Sequence, residues 1–153
     1  MMKPGKKINR SERIKAVERE FQVAEISIKA LEQAMQKESG LLTNEGLNAA
    51  DLRNFRTKLH DTYFIRMFAE FETGLRDFWK NGLNESPNTR VMDVITSIGV
   101  KRNIVDSFVT NVHAVRRWRN RLVHEEDADA DQLEIRIARG YLGRYIGFLP
   151  DDW

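Results

Sequence analysis

Residues 14–35 have the sequence IKAVEREFQVAEISIKALEQAM, in which apolar side chains recur at intervals of three and four. The recurring positions are Ile14, Val17, Phe21, Ala24, Ile28, Leu31 and Met35. Only a helix places such a series on a single stripe. Ser11 is a suitable N-cap, and Ser39-Gly40 favours a stop. The pattern therefore predicts a long amphipathic helix over about residues 11–38.

A second long helix is predicted after a loop over residues 41–47. Asn48 followed by Asp51 resembles a capping box, which favours a helix start at this point. The apolar band that follows comprises Leu52, Phe55, Leu59, Tyr63, Phe64, Met67, Phe68, Phe71, Leu75, Phe78 and Trp79. A band of this width indicates contact with more than one neighbouring helix. Asn81-Gly82 and Pro87 favour its end.

Two more helices are predicted in the following forty residues. Asn88 or Thr89 can cap a short third helix through Ser97, and Gly99 favours its stop. A fourth helix is expected from near Lys101 to close to His124. Its apolar side carries Ile104, Val105, Phe108, Val109, Val112, Val115 and Leu122.

A fifth helix follows, for which Asp129 or Asp131 is a suitable cap. Its apolar positions are Leu133, Ile137, Tyr141, Tyr145 and Phe148. The chain is thus expected to be all-α, an up-and-down bundle of four long helices and one short one. Residues 11–149 form the predicted single domain, between a basic, flexible tail at 1–10 and a C-terminal tail at 150–153.

Composition excludes several functional classes. The chain has no cysteine, which rules out disulfides, thiolate metal sites and a cysteine nucleophile. No apolar run is long enough for a membrane span, and the first residues lack the apolar core of a secretory signal. A soluble, cytoplasmic protein that does not bind a membrane is therefore expected.

Charge is distributed in blocks although the formal net charge is only +2. The N-terminal run is basic and is explained equally well by a solvated tail. A second basic block contains Arg116, Arg117, Arg119 and Arg121, and an acidic block follows it with Glu125, Glu126, Asp127, Asp129 and Asp131.

Arg119 is anomalous because helical spacing places it within the apolar stripe of the fourth helix. Burying a guanidinium costs several kcal/mol unless an acceptor meets it. A structural explanation is a buried ion pair with Glu70 or Glu72. A functional explanation is that this part of the stripe faces a ligand or a partner chain.

Asn120 and His124 are separated by one helical turn, so the amide is placed to hold the imidazole in one tautomer. Arg119, Asn120 and His124 would then form a compact trio. An isolated histidine at this place would more often be an ordinary helix-end residue, and His60 and His113 are interpreted in that way.

The segment Arg119-Asn120-x-x-x-His124 resembles the R-N-x-x-x-H motif of HEPN domains, the higher eukaryote and prokaryote nucleotide-binding helical bundles. In that family the motif lies near the end of the penultimate long helix, and its place here is similar. The resemblance extends over about residues 11–149, although only six of them form the motif.

The resemblance implies a metal-independent endoribonuclease with Arg119, Asn120 and His124 in the catalytic site. Histidine can transfer protons near neutral pH, and arginine can bind phosphate oxygens. A homodimer would bring two such pairs into one cleft, where Arg116, Arg117 and Arg121 would attract the RNA backbone. Family members often act as toxins or in defence, with an antitoxin or nucleotidyltransferase partner.

Alternatives remain open from the residues alone. The chain could be a non-catalytic helical module that binds RNA, a nucleotide or a protein, or an adaptor that dimerises through the first helix. Trp118 could stack on a base, although packing in the core is the commoner role. Neither a cofactor nor a metal is expected, because the spacing of Asp127, Asp129 and Asp131 does not fit a calcium loop and suits helix capping better.

Overall fold

The computed structural model describes residues 5–124 and 127–153. Within these ranges the chain forms six α-helices, one π-helical turn and no strand, so the predicted all-α class is confirmed. The helices are α1 (Lys6–Lys37), α2 (Gly40–Thr43), α3 (Ala49–Asp77), α4 (Val91–Lys101), α5 (Asp106–His124) and α6 (Ile135–Gly147), and the π-helical turn spans Phe78–Gly82. None of the helices in these ranges is both long and apolar enough to cross a bilayer.

The two longest helices, α1 and α3, lie side by side in opposite directions. Arg13 near the start of α1 pairs with Glu70 in the second half of α3, at 3.8 Å. Arg56 near the start of α3 pairs with Glu32 near the end of α1, at 3.0 Å. Helices α5 and α6 pack against α3, α6 also packs against α1, and α4 packs against α3 and α5.

The centre of the core is the contact between α3 and α6. Phe71 and Tyr145 are fully buried, and their rings meet edge to face with centroids 5.7 Å apart. The Tyr145 hydroxyl donates a 2.6 Å hydrogen bond to the carbonyl of Ile95 in α4. Burial raises the pKa of Tyr145, so the hydroxyl remains a neutral donor. Three helices are thereby joined at one point.

Helix α3 is buried only in its second half. The buried residues on this helix begin at Phe64 and continue to Leu75, and Phe55 is 54% exposed. The prediction that Phe55 belongs to the buried band is therefore wrong. The first turns of α3 lie beside the end of α1 and are not covered by a second layer of helices.

The capping box at the start of α3 is confirmed. The Asn48 side chain accepts hydrogen bonds from the amides of Ala50 and Asp51, at 2.8 and 3.2 Å. The Asp51 carboxylate accepts from the amide of Asn48 at 2.9 Å. Three backbone amides at the start of the helix are thus bonded by side chains.

Helix α1 begins earlier than predicted, at Lys6, and its N-cap is Gly5 in place of Ser11. The cause is the C-terminal segment. The Lys6 amide donates to the Asp152 carboxylate at 2.8 Å, and the Lys7 amide donates to the Asp151 carbonyl at 3.1 Å. In the predicted flexible tail, residues 6–10 are therefore helical, and residues 1–4 lie outside the described residues.

The C-terminal residues, predicted to be a tail, also pack against the bundle. The Trp153 ring meets Phe78 edge to face, with centroids 5.3 Å apart. Its indole N–H donates to the Asp77 carboxylate at 2.9 Å. The two ends of the described chain therefore lie together at the end of α3.

The predicted boundary between the third and fourth helices is wrong. Helix α4 continues through Gly99 to Lys101, and α5 begins at Asp106 after a turn in which Asn103 has a φ of 50°. Gly99 is instead a contact residue, because a Cβ there would lie 2.9 Å from the Val109 side chain. Its small size allows α4 and α5 to approach closely.

Two other local predictions also differ from the structure. Neither Asp129 nor Asp131 caps α6, whose N-cap is Glu134 without a side-chain hydrogen bond. The predicted loop at 41–47 contains most of the one-turn helix α2. Gly46, with a φ of 74°, supplies the left-handed turn that follows α2.

Candidate functional site

The candidate site lies along one side of α5. His113, Arg116, Asn120 and His124 follow one another at spacings of three and four residues, which places them on a single ridge of the helix. The structure describes α5 as far as His124, and the His124 side chain is exposed. An imidazole at this place is accessible to a large substrate.

Arg119 lies beside this ridge and is partly buried. Its guanidinium carbon lies 5.9 Å from the centre of the Phe68 ring in α3, and its Nη1 donates to the Asn120 Oδ1 at 3.3 Å. Within residues 5–124 and 127–153, no carboxylate lies within 4.0 Å of it. Arg119 thus contacts an aromatic ring and a neutral amide.

The expected structural partners of Arg119 are occupied elsewhere. Glu70 pairs with Arg13 at 3.8 Å, and Glu72 pairs with Arg76 at 2.8 Å within its own helix. The prediction of a buried ion pair between Arg119 and either glutamate is therefore wrong. The positive charge of Arg119 is not balanced by α3.

Asn120 does not hold His124, contrary to the sequence-based expectation. Its Oδ1 accepts from Arg119, and its Nδ2 donates to the Asp127 carboxylate at 3.2 Å. No hydrogen bond joins His124 to another residue in the described part of the chain. Asn120 thus contacts Arg119 and Asp127, and no described residue forms a hydrogen bond with the His124 imidazole.

Two more arginines of α5, Arg117 and Arg121, bind this same segment. Arg117 contacts Asp129 at 2.8 Å through Nη2 and Asp127 at 3.6 Å through Nε. Arg121 donates a 2.9 Å hydrogen bond to the carbonyl of Ala130. Both residues were predicted to bind RNA, and in this structure they hold the chain's own connection to α6.

The electrostatic effect of the Arg117 contact is mutual. The hydrogen bond from Arg117 lowers the pKa of Asp129 below its usual range, and the same bond raises the pKa of Arg117. Asp129 therefore carries its negative charge throughout the neutral pH range. Alternating aspartates can together bind a metal cation, but here the carboxylates of Asp127 and Asp129 both contact the guanidinium of Arg117.

Trp118 has a structural position. The residue is 8% exposed, and the Arg121 guanidinium carbon lies 5.4 Å from the centre of its ring. The ring is therefore part of the core and is not available to stack on a base, so packing was the correct one of the two interpretations. Its buried indole N–H has no hydrogen-bond partner among residues 5–124 and 127–153.

His113 and Arg116 form a separate network with α4. The Arg116 Nε donates to the His113 Nδ1 at 3.4 Å, and the His113 Nε2 lies 3.2 Å from the Thr96 hydroxyl oxygen. Because Nδ1 accepts, the proton of the neutral ring is on Nε2 and faces Thr96. Arg116, the third predicted RNA contact, therefore also has a partner within the chain.

We expect the melting temperature of the wild type to fall more steeply than that of His113→Gln between about pH 8 and about pH 5. Partial burial lowers the pKa of His113, and the nearby Arg116 lowers it further. The unfolded chain then binds a proton that the folded protein does not, so stability is lost as the pH falls through the usual imidazole range. Thermal unfolding followed by circular dichroism measures both slopes, and parallel slopes would contradict this account.

The sequence did not reveal the part that Asp127 and Asp129 play. The adjacent basic and acidic blocks were a signal, but the pairing requires the chain to turn back after α5. Asp127 makes that turn with a φ of 54°, a left-handed conformation that aspartate tolerates better than most residues.

Comparison of the chain with protein-family models, with curated proteins and with solved structures finds no match.

Proposed function

We propose that this chain is a metal-independent endoribonuclease of the HEPN type, an up-and-down helical bundle that acts as a homodimer. The observation that supports the proposal is the environment of Arg119, which lies five residues before His124 on α5. Arg119 is partly buried with no carboxylate within 4.0 Å among the described residues, and His124, five residues further along the chain, is exposed. A cation kept in such a place is suited to binding an anionic ligand.

The chemistry of RNA cleavage matches these two side chains. The RNA 2′-oxygen attacks the adjacent phosphorus, the new 2′-O–P bond forms, and the P–O5′ bond breaks. A base accepts the 2′-hydroxyl proton, and an acid donates a proton to the departing 5′-oxygen. His124 serves as base or acid, and Arg119 binds the phosphate oxygens on which charge accumulates.

A second copy of the chain supplies what one copy lacks. One chain has a single Arg119–His124 pair, whereas the reaction needs a base and an acid. Among the described residues, five surface grooves with volumes from about 200 to 590 Å³ are lined by residues other than Arg119 and His124. A two-fold axis near the end of α5 would create a cleft that contains both imidazoles.

The test of this function is cleavage of single-stranded RNA in excess EDTA. We expect products with a 2′,3′-cyclic phosphate and a 5′-hydroxyl, because the attacking oxygen belongs to the substrate. DNA of the same sequence is the matched control, since it lacks the 2′-hydroxyl and must remain intact. Products separated on a denaturing gel and identified by mass decide the outcome. Cleavage that stops with EDTA, or that also occurs on DNA, would overturn the mechanism.

A non-catalytic module that binds RNA, a nucleotide or a protein is the second candidate. It is favoured by the contacts of Arg117, Asn120 and Arg121 with the chain's own connection to α6. This candidate predicts that RNA binds without cleavage.

The cellular role is a further part of the proposal. A toxin or defence nuclease of the cytoplasm, controlled by an antitoxin or a nucleotidyltransferase-type partner, would arrest growth when expressed alone. The His124→Gln variant is the control in that experiment, because it should not arrest growth.

A further inference from the structure

The connection between α5 and α6 folds back against the basic side of α5. We call residues 127–131 the acidic loop, because three of the five side chains are aspartates. Two of these carboxylates contact Arg117, at 2.8 Å for Asp129 and 3.6 Å for Asp127. Asp127 also accepts the hydrogen bond from the Asn120 amide at 3.2 Å.

This arrangement has the form of an anion-binding site that is already filled. A guanidinium and an amide N–H point at carboxylate oxygens, and both groups bind phosphate oxygens by the same type of charge-assisted hydrogen bond. The donors also lie on the same helix as Arg119 and His124, within two turns of the imidazole. An RNA phosphate next to the cleaved one would pass close to them.

We propose that Arg117 and Asn120 form a phosphate-binding site for RNA, and that the chain's own Asp127 and Asp129 occupy this site until RNA displaces them. The inference rests on the proposed function and adds a regulatory element to it. The acidic loop acts as a built-in competitor that weakens binding of RNA to the free protein.

The strength of the contacts is consistent with displacement. The side chains of Arg117 and Asp129 are 40% and 83% exposed, and exposed ion pairs contribute little to stability because water screens them. The closed loop also includes the left-handed Asp127, and the Trp118 indole N–H, whose ring lies near Arg121, has no hydrogen-bond partner in the described part of the chain. A polyanion with several phosphates can therefore compete with the loop.

Release of the acidic loop would free a second cation. Arg121 is held by the Ala130 carbonyl, which belongs to the same loop. Movement of the loop would thus make both Arg117 and Arg121 available to RNA. The number of phosphate contacts, and with it the salt dependence of binding, should rise when the carboxylates are neutralised.

The experiment measures the affinity for a short 2′-O-methyl RNA, which binds but has no free 2′-hydroxyl and cannot be cleaved. We expect the double variant Asp127→Asn, Asp129→Asn to bind about three- to ten-fold more tightly than wild type by fluorescence anisotropy. Asn is similar in size to Asp and tolerates the left-handed conformation at residue 127. A second readout is the dependence of affinity on salt concentration, which should be steeper in the double variant than in wild type.

Asp131→Asn is the matched control. It removes one charge from the same loop, but Asp131 has no hydrogen bond or ion pair with another described residue. The loop has only one aspartate without such a contact, so the control can remove only one charge. Asp131→Asn is therefore compared with the single variant Asp129→Asn, which also removes one charge. Equal gains in the two variants would reduce the effect to net charge and overturn the inference.

The Arg117→Gln background provides a second comparison. The gain from Asp129→Asn should disappear there, because the group that the carboxylate blocks is missing. A gain that persists would overturn the inference. Inorganic polyphosphate identifies the ligand, since a gain for polyphosphate without one for RNA would contradict an RNA site.

Failure of this inference and failure of the proposed function have different signatures. If no variant cleaves RNA but the affinity gain is specific to Asp127 and Asp129, the binding site is supported and the nuclease is not. If wild type cleaves RNA and Asp129→Asn binds like Asp131→Asn, the nuclease is supported and the competitor is not.

Discussion

Replacing His124 with glutamine is expected to lower the rate constant of RNA cleavage by at least about 100-fold in a protein that remains folded. Glutamine retains hydrogen-bonding capacity but cannot exchange a proton at neutral pH. The side chain is exposed and has no hydrogen bond to another described residue, so the melting temperature should change little. Single-turnover cleavage and thermal unfolding measure the two quantities separately.

Two controls accompany this variant. Val123→Ala alters the neighbouring side chain, which is 39% exposed, and should leave the rate within a few-fold of wild type. Added imidazole should partly restore cleavage in His124→Ala, because it replaces the missing proton carrier. A glutamine variant that cleaves at the wild-type rate would remove His124 from the mechanism.

The same two measurements, cleavage and thermal unfolding, distinguish a catalytic role of Arg119 from a structural one. Arg119→Leu should abolish most cleavage but should keep or raise the melting temperature, because the substitution removes from the border of the core a cation that has no carboxylate partner among the described residues. An arginine that mainly supports the bundle would give the opposite result, with lower stability and unchanged cleavage. Loss of both would show that the variant reports on folding alone.

Replacing Phe71 with alanine is expected to lower the free energy of unfolding by about 3–5 kcal/mol. The ring is completely buried, contacts Phe68 and Tyr145, and lies where α3 meets α6. Its removal leaves a cavity that surrounding rings cannot fill without loss of their own contacts. Urea unfolding, followed by circular dichroism with a common slope for both proteins, gives the difference.

Phe55→Ala is the matched control on the same helix. Phe55 is 54% exposed, so its removal should change the free energy of unfolding by no more than about 0.5 kcal/mol. Similar losses for the two phenylalanines would mean that the first half of α3 is covered in solution, for example by another copy of the chain.

Periodicity was sufficient to predict that the five longer helices exist, and local capping located the start of α3. The stripe through Ile14, Val17 and Ile28 and the capping box at Asn48 involve neighbours within a few residues, so the sequence contains both partners side by side. The start of α1 depends instead on Asp151 and Asp152, more than 140 residues away. No local pattern can predict such a partner.

The candidate site was predicted in part for the same reason. The position of His124 on α5 follows from the spacing of apolar residues. The partner of Asn120 cannot be predicted in this way, because His124 and Asp127 are both possible acceptors for its side-chain amide. The turn at Asp127 brings the Asp127 carboxylate to the amide. A spacing of four residues permits a contact with His124 but does not make it the preferred one.

The contact between the first turn of α1 and the C-terminal residues affects which parts of the protein open independently. Backbone amides at the start of a helix usually exchange their hydrogens fastest, since no preceding carbonyl protects them. The amides of Lys6 and Lys7 are instead bonded to Asp152 and Asp151. These two amides should exchange with solvent deuterium only when the first turn of α1 and residues 151–152 separate from each other. The two segments are therefore expected to open together.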